Sequence, residues 1–285
     1  MRSIIQHLRF PFSFLLLPIF LFALLNLPAK EIVSWNSFIL FVILHLLVYP
    51  SSNAFNSLED QDKGSVGLIK KPVAVDQRLG LLTKIMDLLA LNLAFFISWE
   101  CVFYILLYIV ASRLYSWRKV RIKKYPYASF IVVFVMQGGW VYYLTQNSLS
   151  SEPFVQWHLA LAASCLIGAI YPLSQIYQHE QDHADGVLTI SAKLGKKGTF
   201  LLSAFFFMMG SSLILQHLSV NHLELEYYFF MLCLLPGILF FMYWFIQVVK
   251  NEKQANYENS MRMNFIAAMG MNIFFVGALI LKLFG

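Results

Sequence analysis

Charge is what this chain has least of. Asp, Glu, Lys and Arg make up 13% of its 285 residues, about half the share usual in a soluble domain. An ordinary water-soluble fold is thereby excluded. Cysteine is scarce as well: Cys101, Cys165 and Cys233 stand far apart, each within an apolar run. That spacing excludes a zinc ribbon or a redox pair and leaves them as small buried hydrophobes. Arg2 and Arg9 precede an apolar run, as in a signal peptide, but the run is too long and no small-x-small cleavage pattern follows. The first segment is therefore expected to stay as a helix.

What is present is hydrocarbon. Hydrophobic residues make up 59% of the chain, with a mean hydropathy of +0.65. Crossing a bilayer takes roughly 20 apolar residues. Nine such runs lie near 10–28, 35–52, 80–98, 100–116, 127–145, 155–176, 199–218, 227–249 and 263–283. The third and fourth nearly touch at Trp99-Glu100, so a count of eight stays open. The expected fold is all-α, a polytopic membrane bundle of nine helices forming a single domain over 1–285.

Basic residues are unevenly shared between the two ends of such a bundle. One end receives Arg2 and Arg9, then Lys63, Lys70, Lys71 and Arg78 of the second loop. The fourth loop adds Arg113, Arg118, Lys119, Arg121, Lys123 and Lys124; the sixth adds Lys193, Lys196 and Lys197; the eighth adds Lys250, Lys253 and Arg262. The other end receives Lys30 and Lys282. The positive-inside bias puts the N-terminus and every even loop in the cytoplasm. This describes a multi-pass protein of a plasma or bacterial inner membrane, and the asymmetry favours nine segments over eight. Nothing in it calls for nucleic acid or an obligate protein partner.

The acids follow the same division. Glu59, Asp60, Asp62 and Asp76 fall in loop two, and Glu180, Asp182 and Asp185 fall in loop six. Ionisable clusters at a membrane helix end are candidate functional groups. Asn53, Asn56 and Asp60 are spaced three and four apart, which puts them on one helical face. Gln175, Gln178, Asp182 and Asp185 make a second stripe, at spacings of three, four and three. Amides below carboxylates are oxygen ligands of the kind that suit Mg²⁺, which bridges one or two carboxylates to substrate phosphates. Nearby lysines (Lys70, Lys71, Lys193, Lys196, Lys197) supply the charge a diphosphate needs.

These residues carry a resemblance. The chain resembles the UbiA-type intramembrane prenyltransferases over nearly its whole length. Asn56-x-x-x-Asp60, followed by Lys71-Pro72, is similar to that family's first Asp-rich motif; Gln178-x-x-x-Asp182, followed by "DGVLTISAKLG", is similar to the second and its tail. Tyr115-x-x-x-Lys119 resembles a Y-x-x-x-K element. The resemblance implies a UbiA-like bundle around a central apolar cavity. It implies a Mg²⁺-dependent transferase of alkyl or aryl groups other than methyl, moving a prenyl group from a prenyl diphosphate to a lipophilic aromatic or hydroxyl acceptor, with membrane lipid as a further partner. Asp60 and Asp182 would be catalytic, with Asn56, Asp60, Glu180 and Asp182 as metal ligands. Asn53, Lys71, Tyr115, Lys119, Gln178 and Lys193 would bind the substrate. Departures stand at Gly64, where an aspartate ends the first motif, and at Gln175 and Gln178, where acids lead the second. Each removes a negative charge, with Asp62, Glu180 and Asp185 nearby.

Three other readings compete, beside that of a non-catalytic relative. His179-Glu180-Gln181-Asp182-His183 matches the zinc-protease pattern H-E-x-x-H, yet it lies at a helix exit and lacks an evident third ligand. The CDP-alcohol phosphotransferase pattern is absent, since "VLTISAKLG" follows Asp185-Gly186. A transporter has no need of acids and lysines gathered at one end only, and no internal repeat is evident.

Overall fold

A computed structural model describes residues 2–61, 64–151 and 155–284; Asp62, Lys63 and Glu152 lie outside the described residues. Among the described residues every named element is helical. In chain order they are α1 (Ser3–Leu25), α2 (Trp35–Asp60), α3 (Leu79–Phe95), α4 (Trp99–Ser116), α5 (Pro126–Leu149), α6 (Trp157–Gln175), α7 (His179–Ala184), α8 (Ile190–Val220), α9 (Glu224–Lys250) and α10 (Tyr257–Phe284).

All nine expected segments are helical, but seven, not nine, are long and apolar enough to span a bilayer on that measure. The two that fall short are α3, with 17 residues, and α4, with 18. Both carry charge: Lys84 and Asp87 on α3, Glu100 and Arg113 on α4. They are nonetheless separate helices, because Ser98 caps the start of α4 by accepting the Cys101 N–H at 3.1 Å. Asp87 and Arg113 meet in an ion pair of 2.5 Å. Arg113 also donates to the Ser51 hydroxyl at 2.6 Å, which ties α3 and α4 to α2.

The remaining helices close around a central space. α1 packs against both α5 and α10, so first and last spans meet; α6 lies between α5 and α8, and α9 between α8 and α10. Close approach of α5 to α6 depends on Gly138 and Gly139, within a π-helical turn (Phe134–Gly139). The Gly139 N–H donates to Ser164 Oγ at 2.8 Å, and a Cβ there would stand 3.0 Å from the Ala160 carbonyl. Large apolar side chains such as Phe95, Phe96, Trp99, Leu201, Leu232 and Leu239 face outward, as they do where hydrocarbon is the solvent.

Candidate active site

Two chambers meet inside the bundle. The first, of about 540 Å³, lies where α2 ends and α7 begins, and is lined by polar and charged groups. The second, of about 380 Å³, is almost wholly apolar and runs between α1, α6, α8, α9 and α10. Phe12, Gln137, Tyr171, Ser174 and Asn264 line both, so the chambers share a neck.

The first wall of the polar chamber is α2. Asn53, Asn56 and Asp60 all face the cavity, one turn apart, as the spacing predicts. Asn56 Oδ1 accepts a hydrogen bond from Ser116 Oγ at 2.9 Å. The Asp60 side chain is only 5% exposed and forms ion pairs with Lys123 and with Arg121, the latter at 3.4 Å. The opposite wall carries Gln175, Gln178, Gln181, Asp182 and Asp185. This stripe crosses a helix break, since α6 stops at Gln175 and α7 starts at His179. α7 in turn ends in a Schellman motif: Gly186 adopts φ 67°, and the Val187 N–H reaches the Asp182 carbonyl at 2.8 Å. Asp185-Gly186 is thus a helix stop.

Loop four closes the chamber from above. Arg121, held in the left-handed region at φ 50°, sends its guanidinium between the two walls to Asp60 and Asp185. Burial opposes its charge, but Asp185 and Asp60 together outweigh burial and hold its pKa above the ordinary value. Arg118 hydrogen-bonds the Glu59 and Asp60 carbonyls at 2.5 and 3.3 Å, capping the end of α2. From the α1 side, Arg9 is buried, lines the cavity and donates to Ser57 Oγ at 2.6 Å. Arg9, Gln61 and Arg121 are three of the four non-glycine residues with positive φ among those described; the first two line this chamber and the third pairs with its Asp60. Such conformations cost about 1–3 kcal/mol each and persist where the surroundings enforce them.

Tyr115 also lines the chamber, its hydroxyl 2.6 Å from that of Tyr171 and within electrostatic reach of both Asp60 and Asp182. Asn53 Nδ2, Gln175 Oε1 and Asn264 Oδ1 are buried polar atoms of lining residues with no hydrogen-bond partner among the described residues.

The structure therefore brings together Asn53, Asn56, Asp60, Tyr115, Gln178 and Asp182, and leaves four expected site residues outside the lining. Glu180 is exposed, because on α7 it is turned away from the face that carries Gln178, Gln181 and Asp182. Lys71 is exposed, and its carbonyl is taken by Gln6 at 3.2 Å. Lys119 is exposed over the Trp117 ring, and Lys193 over the Tyr127 ring at 4.3 Å. The cations on the lining are instead Arg9 and Lys123, with Arg121 paired to the lining carboxylates Asp60 and Asp185. Their charge was legible in the sequence, but the backbone reversals that aim them were not.

The lining offers oxygen donors from carboxylates and amides, without histidine or cysteine. Among the described residues no group of three or more His, Cys, Asp and Glu could cage a metal. That donor set fits Mg²⁺, whose shell is completed by water and phosphate oxygens, and it does not fit a zinc site. The H-E-x-x-H pattern is otherwise engaged: His179 Nε2 lies 2.7 Å from Ser191 Oγ, and His183 is exposed. Burial, followed by nearby Lys196, pushes the His179 imidazole below its ordinary value of 6.5. A base with a depressed folded pKa stabilises fully above its unfolded pKa, and that contribution is lost as pH falls through the folded value. Melting temperature in detergent is therefore expected to fall on acidification below 6.5, and to fall less in a His179→Gln variant.

The model of the UbiA prenyltransferase family matches residues 15–266. No curated protein matches the chain. Among solved structures it is similar to a UbiA homolog from Archaeoglobus fulgidus bound to DMAPP and Mg²⁺, at 14% identity, TM-score 0.69, covering 97% of this chain and 99% of that one. The apo UbiA homolog from Aeropyrum pernix K1 is similar at 14% identity and TM-score 0.67, covering 93% and 98%. A digeranylgeranylglyceryl phosphate synthase is similar at 15% identity and TM-score 0.62, covering 99% and 98%.

Proposed function

The chain belongs to the UbiA prenyltransferase family, and from that premise we propose that it transfers a prenyl group from a prenyl diphosphate to a lipophilic acceptor bearing an aromatic ring or a hydroxyl. The observation that carries this reading is the joined pair of chambers, charged at one end and apolar at the other. A prenyl diphosphate has the same division along its length. Its diphosphate would lie between α2 and α7, and its hydrocarbon would extend past the neck.

Asp60 and Asp182, with the amide oxygens of Asn56 and Gln175 beside them, would hold Mg²⁺. When bound, the ion supplies charge that offsets the diphosphate as it departs. Arg9 and Lys123 add N–H donors on the same lining, and donors placed where charge develops lower the barrier most. The bond that breaks joins the allylic carbon to the diphosphate oxygen, which keeps the electron pair. The bond that forms joins that carbon to a ring carbon or oxygen of the acceptor, which gives up a proton. Phe12 and Tyr171, at the neck, would face the allylic carbon as positive charge builds. The apolar chamber would keep water from capturing it. Gln175 Oε1 and Asn264 Oδ1 offer unpartnered acceptors to a hydroxyl of the second substrate.

The basic residues of the even loops support a cytoplasmic placement of the polar chamber and of the N-terminus. The test is to incubate purified protein with Mg²⁺, prenyl diphosphates of graded length and a native lipid extract. Diphosphate release with an alkylated lipid seen by mass spectrometry is the expected outcome. Diphosphate binding without release from any donor would identify a non-catalytic relative and overturn the proposal.

A further inference from the structure

We infer that the polar chamber takes one divalent cation with its diphosphate, and that Arg121 supplies the positive charge a second ion would bring. The inference rests on the prenyl-diphosphate reading above. Its first support is the way the two walls meet. Two loops both rich in carboxylates repel each other unless a cation lies between them. Among the described residues, amides make two of the contacts between them. Gln178 Nε2 donates to the Ser65 carbonyl at 3.0 Å. The space a side chain at Gly64 would take is filled by the amide of Gln181. Among the described residues, loop two therefore meets the Gln178–Gln181 wall through amides.

The second support is the occupant of the gap. The Arg121 guanidinium reaches Asp60 on one wall and Asp185 on the other, and its side chain is only 10% exposed. It is positioned by a left-handed backbone conformation at φ 50° that arginine adopts only where its surroundings enforce it. Lys123 takes the second Asp60 oxygen. A guanidinium keeps its charge at any physiological pH, so this bridging cation is permanent.

The third support is the donor set on the lining. Gln175 shares that lining with Asp60 and Asp182; it is 7% exposed, and its Oε1 has no hydrogen-bond partner among the described residues. Two carboxylates and an amide oxygen, completed by water and phosphate, suffice for one Mg²⁺. Among the described lining residues, a second ion would have to share the same two carboxylates or displace Arg121 from Asp185.

The test counts ions rather than turnovers. Purified full-length protein is saturated with a geranyl S-thiolodiphosphate, which resists cleavage, and titrated with Mn²⁺ in place of Mg²⁺. Bound Mn²⁺ per chain is read by electron paramagnetic resonance. One bound ion is expected. Two ions, or tight binding of the analogue with none, overturn the inference while leaving the prenyl-diphosphate reading intact. Failure of the analogue to bind with or without Mn²⁺ overturns both.

Discussion

Asp60→Asn is expected to abolish prenyl transfer, by at least ~10³-fold in kcat, and Asp182→Asn to do the same. Asparagine keeps the shape and one oxygen of the side chain but removes its charge, so any loss reports electrostatics rather than packing. Removing a single preorganised donor from a developing anion already costs about 10²–10³ in rate. A carboxylate that holds Mg²⁺ against the diphosphate contributes more, because its loss takes the ion's charge with it. Asp60 sits where this argument is strongest, with 5% side-chain exposure and two cations upon it. Removing the anion also leaves Lys123 and Arg121 facing each other, so Asp60→Asn is expected to lower the melting temperature as well. Assays well below that temperature separate the two effects. His183→Ala, by contrast, changes an exposed side chain and is expected to leave turnover within about two-fold of wild type, as most surface substitutions do. A large loss there, accompanied by stoichiometric zinc in the purified protein, would reverse the assignment of the site.

That prediction drew on residues the sequence places well. Asn53, Asn56 and Asp60 are legible because α2 runs unbroken to its last turn, and helical spacing then decides which side chains share a face. Gln175, Gln178, Asp182 and Asp185 also share a wall, although α6 stops and α7 restarts between them; the break keeps the phase. Nine of the helical segments follow from apolar runs, whereas the polar α7 does not. What was not legible depends on turns. The four lysine and glutamate positions that miss the cavity follow from the motif resemblance, and a motif does not say which way a loop reverses. Arg9, Gln61 and Arg121 take φ values of 48°, 53° and 50°, which no residue-type rule would place at an arginine or a glutamine. Gly64 reads as a missing acid in the sequence and in space is the room taken by Gln181.

Loop four makes that difference measurable. Tyr115-x-x-x-Lys119 points to Lys119 as the lysine that meets the diphosphate, whereas the structure puts Lys119 outside, over Trp117, and Lys123 inside, on Asp60. The reason lies in the turn: the Arg121 N–H bonds the Trp117 carbonyl at 2.7 Å, and the left-handed Arg121 folds the next residues back towards α2. Lys123→Ala is therefore expected to lower kcat about 10²-fold, the usual cost of losing one charged donor to the transition state. Lys119→Ala, Lys193→Ala and Lys71→Ala are each expected to change it less than about three-fold, since an exposed lysine is screened and solvated in both ground and transition states. Lys123→Arg keeps the charge but not the reach, because a planar guanidinium replaces a compact ammonium, and it is expected to recover only part of the loss. The decisive comparison is the ratio of the two alanine variants in steady-state prenyl transfer at saturating Mg²⁺. A Lys119→Ala variant more damaged than Lys123→Ala would mean that loop four turns the other way when substrate is bound, and the chamber drawn around Lys123 would have to be redrawn around Lys119.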